Sequence, residues 1–130
     1  MEDINNVKIV MLKNGQHIIT KINEMFAEGK EESICFLFTA PLIITYKPSS
    51  KEGEEFELSF TLWSPFSKSV EFRVPFNEVI SIGDPKDDVL ENYMEIAGPL
   101  FQRLKEINES QQEKTDLNFE EDLRVRLLLS

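Results

Sequence analysis

The chain has 130 residues, 41% of them apolar and 29% charged, a balance typical of one globular domain and not of a disordered or membrane protein. Acids outnumber bases by 24 to 14, and the formal net charge of −10 argues against a surface that grips phosphates throughout. One cysteine excludes an intramolecular disulfide, and neither a signal peptide nor a membrane span is expected, which favours the cytoplasm.

The first strands are predicted as a hairpin. Val7 to Leu12 is a short apolar run, and residues 16–26 form a second strand-like run. Asn14-Gly15 lies between them, and this dipeptide is a strong hairpin signal because glycine readily adopts the positive φ of a tight turn.

A long third strand is predicted over residues 33–46. Its apolar run is continuous near Phe36, which indicates burial on both faces. Pro41 lies inside it. Because proline cannot donate a backbone hydrogen bond, it indicates an edge, a bulge or a bend at this point.

The following strands are short. Residues 56–62 alternate between apolar and polar side chains, as a half-buried strand does, and residues 63–67 interrupt the pattern. Alternation resumes over residues 70–74, and residues 79–82 form a last strand. We expect five strands if the interrupted one is a single bent strand and six otherwise, in a small barrel or sandwich.

The periodicity changes to helical after Gly83. Asp84 is predicted as the helix N-cap and Pro85 as the first helical residue, and Gly98-Pro99 predicts a kink or two abutting helices. The predicted organisation is a β-barrel over residues 1–83, a helical extension over residues 84–113, and a flexible tail or docking strand over residues 114–130.

Three segments, in this order, carry a family resemblance. Residues 10–19 (VMLKNGQHII) are an apolar strand, a glycine turn and a second strand, residues 63–72 contain WSPFSK followed by VEF, and residues 74–82 (VPFNEVISI) are a strand, a tight turn and a short strand. Together they resemble the Sm-like superfamily of Sm, LSm and bacterial Hfq proteins, and more closely the small Sm-like proteins of marine phages and cyanophages. The similarity spans roughly residues 7–97 of the chain.

The resemblance implies a mainly β fold, a small five-stranded Sm-like open barrel with a C-terminal helical extension. The fourth and fifth strands of such a barrel have free edges, which in the superfamily pair head-to-tail into a cyclic ring. The implied homo-oligomer interface consists of apolar residues on these two strands: Val70, Phe72, Val74, Val79, Ile80 and Ile82. The alternative is that the helix or tail covers one edge and the protein stays small.

The residues that bind RNA in the superfamily have no counterparts at the matching positions of this sequence. Members that bind RNA use an Asp and an Asn between the second and third strands, and a basic residue beside a glycine in the second motif. Residues 28–32 (EGKEE) and 76–78 (FNE) depart from both patterns, and acids at these positions repel phosphate.

Few residues suggest chemistry. His17 lacks a recognisable nucleophile partner and is expected to face solvent, and Cys35, among apolar neighbours, is expected to be a buried hydrophobe. Asp84, Asp87 and Asp88 have the composition of a cation site, but helix capping explains them more simply. We therefore expect no enzyme activity, no cofactor and no metal.

An aromatic and basic group remains as a possible ligand or partner contact. Trp63 and Phe66 flank Pro65, and Lys68 and Arg73 are near in sequence, a combination that can stack and hold a nucleic-acid base. We rank a core or subunit-interface role first for the aromatic residues and nucleic acid second.

These patterns together predict a non-enzymatic, ring-forming interaction or scaffold protein, encoded by a phage and located in the host cytoplasm. A protein partner would engage its acidic surface. The alternative is single-stranded RNA binding by the ring.

Overall fold

The computed structural model describes residues 4–50, 52–53 and 56–114. The chain is mainly β, with one C-terminal helix. The strands are β1 (Val7–Leu12), β2 (His17–Phe26), β3 (Ser33–Pro48), β4 (Phe56–Leu62), β5 (Glu71–Val74) and β6 (Val79–Gly83), and the helix is α1 (Asp87–Lys114). Short 3-10 turns occupy Ile4–Asn6 and Phe76–Glu78.

The strands form one antiparallel sheet with the order β4-β3-β2-β1-β6, in which β5 also pairs with β3. β5 pairs with residues 36–39 of β3 and β4 with residues 42–48, so these two short strands follow one another along the same border of β3. The described part of the sheet is not closed. The prediction of five strands is wrong in number, because residues 63–70 contain no strand and separate β4 from β5.

The predicted β1–β2 hairpin is confirmed. The two strands pair antiparallel from Val7 opposite Lys21 to Met11 opposite His17. Gly15 has a φ of +87° in the connecting turn, and its amide donates to the Leu12 carbonyl. A side chain at this position would be strained, which is why the dipeptide predicts the turn well.

A β-bulge at Ala40-Pro41 bends the long strand β3. Leu42 lies opposite Ile19 and Thr39 opposite Lys21, so the two residues of the bulge face only Thr20 on β2. Ala40 has a φ of +53°, the one positive value outside glycine among the described residues. The extra residue shifts the alternation of β3, so that Phe38 and Leu42 pack on opposite faces of the sheet.

The two faces of the sheet carry two apolar clusters. One lies under α1 and consists of Val7, Ile19, Ala40, Leu42, Val70, Tyr93, Ala97 and Phe101. The other lies on the opposite face and consists of Val10, Leu12, Ile18, Phe38 and Val74, with Trp63 and Val79 packed against it. The helix therefore forms one side of the core and is not an isolated appendage.

The helix begins later than predicted. It starts at Asp87, and the Leu90 amide donates to the Lys86 carbonyl, so Asp84 is not the N-cap and Pro85 is not the first helical residue. Asp84 instead forms an ion pair with Lys8 of β1. Helical structure continues through Pro99 as one element rather than two.

The predicted tail lies outside the described residues beyond Lys114. Within the described part of the chain, no helix combines the length and apolarity that crossing a membrane requires.

Candidate interaction surface

Among the described residues, no further strand pairs with the outer side of either border predicted to join copies of the chain. β5 pairs with β3, and β6 pairs with β1. They are consecutive strands joined by Pro75 and the turn at Phe76–Glu78, yet they belong to opposite borders of the sheet. An outer strand edge of this kind can pair with a strand of another chain.

The apolar side chains of these strands divide into buried and exposed sets. Val70 and Val74 are almost completely buried, and they pack within the chain in the cluster under α1 and the cluster on the opposite face respectively. Phe72 and Val79 are half-buried. The side chains of Val70 and Val74 therefore stabilise the fold of the single chain.

Ile80 and Ile82 differ from the other four predicted interface residues. Their side chains are 60% and 46% exposed on β6. Ile82 lies opposite Val10 of β1. The register between β1 and β6 shifts one residue after this pair, between Met11 and Leu12. The only apolar side chains of β6 that the fold leaves largely uncovered are therefore these two isoleucines.

The loop between β4 and β5 uses Trp63 as part of the core. Its ring packs against Phe38 at 5.8 Å and Phe72 at 5.7 Å between centroids. Its indole N–H donates to the side-chain oxygen of Gln16 at 3.2 Å, and its backbone amide donates to the carbonyl of Pro41. These contacts fix the start of the loop against the bulge of β3.

Phe66 has the opposite environment. Its side chain is fully exposed at the outer end of the same loop, and the side chain of Lys68 is exposed two residues later. The guanidinium of Arg103 on α1 donates to the backbone carbonyl of Lys68 at 2.8 Å, which ties the loop to the helix. The loop therefore exposes the Phe66 ring to solvent, while its backbone at Lys68 is hydrogen-bonded to α1.

Arg73 does not lie on the same face of β5 as Trp63. Phe72 packs on Trp63, and consecutive strand residues point to opposite faces of the sheet, so Arg73 projects from the other face of β5. It lies opposite Leu37 of β3 and is half-buried. The predicted group of four contact residues therefore separates into a core residue, an exposed pair and a residue on the opposite face.

An exposed apolar strip on the β3–β4 hairpin was not singled out by sequence reasoning. Tyr46, Phe56, Leu58 and Leu62 are exposed by 61%, 52%, 40% and 47%. Leu58 lies opposite Tyr46, and Phe56 packs edge-on against Tyr46 at 5.3 Å between ring centroids. The sequence shows that apolar and polar residues alternate over residues 56–62. It does not show which of these apolar residues are covered by a helix and which remain exposed.

The predicted chemical candidates have no arrangement typical of a site. Cys35 is buried, as expected, and His17 is half-buried opposite Ile44. Among the described residues, no three His, Cys, Asp or Glu side chains are grouped as a metal site would need.

Comparison with known families places the chain. Residues 5–98 match DUF6561, a family of unknown function. The chain belongs to this family. The DUF6561 match includes all six strands and the first part of α1, and it ends just before Pro99. A comparison with curated proteins found no match.

Proposed function

We propose that this DUF6561 protein is a non-enzymatic scaffold whose copies assemble edge to edge into a closed Sm-like ring. The observation that carries the proposal is the position of β5 and β6, which are neighbours in the chain but lie at opposite borders of the described sheet. One border of one copy can therefore pair with the other border of the next copy.

The geometry of the two borders favours this contact. β5 has four residues and β6 has five, so the two edges are of similar length. A contact between two different borders of identical chains repeats head-to-tail, and it closes into a ring when the rotation between copies divides a full turn.

The strand order also favours the Sm-like comparison. The first strand pairs with the last, β5 pairs with β3, and a 3-10 turn joins β5 to β6. The additional strand β4 extends the border of β3 beyond β5, and α1 follows the strands instead of preceding them. A phage origin and a host-cytoplasmic location remain part of the proposal through the resemblance alone.

The test compares two variants at exposed isoleucines. Ile80→Lys with Ile82→Lys places two charges on the β6 border and is expected to reduce the mass of the assembly to that of the 15.1 kDa chain. Ile96→Lys with Ile107→Lys is the matched control, because these two isoleucines are exposed by 43% and 39% and lie on α1 rather than on either border. Equal masses for the two variants by light scattering would contradict the β6 contact.

A second function, single-stranded RNA binding by the ring, is favoured by one observation. Phe66 is fully exposed beside Lys68, and exposed aromatic rings stack on bases in a sequence-tolerant manner. Titration of a labelled oligouridine at low salt tests it. Binding that Phe66→Ala weakens would support this function, whereas no binding at low salt excludes it, since phosphate contacts are strongest there.

A further inference from the structure

Among the described residues, the outer border of β4 is a third strand edge with no paired neighbour, and it is longer than the other two. β4 pairs with β3 and has seven residues, Phe56–Leu62. Neither the ring contact nor the family match explains what lies beside it. Long edges with apolar side chains are normally covered in native proteins, because they otherwise promote aggregation.

The side chains of β4 define two chemically different sides for an added strand. Phe56, Leu58, Phe60 and Leu62 share the side that continues the core under α1, and Phe60 is packed there. Glu57, Ser59 and Thr61 share the other side. Glu57 lies opposite Lys47 and forms an ion pair with it at 3.3 Å.

The C-terminal segment of the chain has a pattern that complements both sides. Over residues 123–127 (LRVRL), three apolar side chains alternate with Arg124 and Arg126. A strand of this pattern presents its apolar residues to one side of a sheet and both arginines to the other. We propose that residues 123–129 pair antiparallel with the free border of β4 in the same chain.

Charge favours this pairing. With the apolar residues on the core side, Arg124 and Arg126 lie on the side of Glu57, and one register places Arg126 directly opposite it. Lys47, Glu57 and Arg126 would then alternate in sign across three neighbouring strands, and opposite charges in such cross-strand positions are mutually stabilising.

The length of the chain permits the contact. Leu100 of α1 and Leu62 of β4 line one cleft of about 140 Å³, so α1 passes the C-terminal end of β4 at this residue. Lys114 lies 14 residues further along the helix, roughly 21 Å at 1.5 Å per residue. Residues 115–122 span up to about 26 Å when extended, enough to return to Leu62. The chain then runs from the Leu62 end of β4 towards Phe56, which makes the segment antiparallel to β4. With Arg126 opposite Glu57, Leu123 lies opposite Phe60 and Leu127 opposite Phe56.

Two adjacent leucines provide a matched test. Leu123, Val125 and Leu127 are two residues apart, so in a strand their side chains lie on the same, apolar side. Leu128 lies on the other side, with Glu57. Leu127→Asp and Leu128→Asp are the same chemical change one position apart. The readout is hydrogen exchange of the β4 backbone amides in the full chain, with the amides of β1 and β2 as an internal measure of folding.

We expect Leu127→Asp to accelerate exchange of the outward-pointing β4 amides about tenfold, which corresponds to about 1.4 kcal/mol. Leu128→Asp is expected to change it less than about twofold, and deletion of residues 115–130 to match or exceed Leu127→Asp. Unchanged β4 exchange in all three variants would overturn the proposal. Protection that rises with protein concentration would also overturn it, because the occupant would then be a second copy.

Failure of this proposal is distinguishable from failure of the ring. The ring uses the borders of β5 and β6, and its readout is the mass of the assembly. The tail proposal uses the border of β4, and its readout is local amide exchange at constant mass.

Discussion

The Tyr93 hydroxyl, on α1, donates a hydrogen bond of 2.9 Å to the backbone carbonyl of Ala40, on the bulge of β3. Ala40 has a positive φ, and its amide donates to the Val70 carbonyl at 2.8 Å. The carbonyl of Thr39, the preceding residue, accepts from the buried Thr20 hydroxyl at 3.0 Å. The bulge is thus held by β2, α1 and the residue that precedes β5, and its polar backbone groups are satisfied within the core.

Removal of the Tyr93 hydroxyl tests this relationship. Tyr93→Phe keeps the ring, which is completely buried, and leaves the Ala40 carbonyl without its donor, so we expect a loss of about 1–2 kcal/mol in the free energy of unfolding. Tyr46→Phe is the control, since Tyr46 is largely exposed, and we expect a change within about 0.5 kcal/mol. Denaturant unfolding measures both. Equal effects would show that the hydroxyl contact does not hold the bulge.

Truncation of Phe101 tests whether α1 belongs to the core. The Phe101 ring is 5% exposed and packs edge-on against Tyr93, with 6.3 Å between ring centroids. Phe101→Ala is expected to destabilise the protein by about 3–5 kcal/mol, through lost burial and the cavity that remains. Ile107→Ala, further along the same helix at an exposed position, is expected to cost less than about 1 kcal/mol. A small effect at Phe101 would mean that the sheet is stable without the helix.

Truncation of the loop aromatics is expected to separate their roles. Trp63→Ala removes contacts with Phe38 and Phe72 and the indole hydrogen bond to Gln16, so we expect a loss of about 3–5 kcal/mol. Phe66→Ala removes a fully exposed ring and is expected to leave stability within about 0.5 kcal/mol. Thermal unfolding checks both. A destabilisation of similar size for Phe66→Ala would show that its ring packs against the protein.

Much of the sheet was predictable from local pattern. Asn14-Gly15 indicated the first hairpin, and the alternation from Phe56 to Leu62 indicated β4, because turn chemistry and two-residue periodicity are properties of a few neighbouring residues. Pro41 indicated an irregularity in β3, and a bulge lies there. Trp63, for which a core or subunit-interface role was ranked first, packs against the cluster of Val10, Leu12, Ile18, Phe38 and Val74.

Features set by distant contacts were not predictable. Nothing near Ala40 indicates that it adopts a positive φ, since that conformation depends on contacts with Val70 and Tyr93, 30 and 53 residues away. Asp84 has the residue type of an N-cap, but Lys8 of β1 lies close enough to pair with it, and the helix starts three residues later. The same limit applies to side-chain exposure, because sequence spacing does not distinguish buried Val74 from exposed Ile82.

The mass of the protein in solution tests the central claim most directly. Native mass spectrometry or light scattering across a range of concentrations is predicted to give one assembly of fixed subunit number, an integral multiple of 15.1 kDa, because the proposed head-to-tail contact between β5 and β6 is one that closes into a ring. A mass of 15.1 kDa at every concentration would contradict the ring, and a mass that grows without limit would show that the contact does not close.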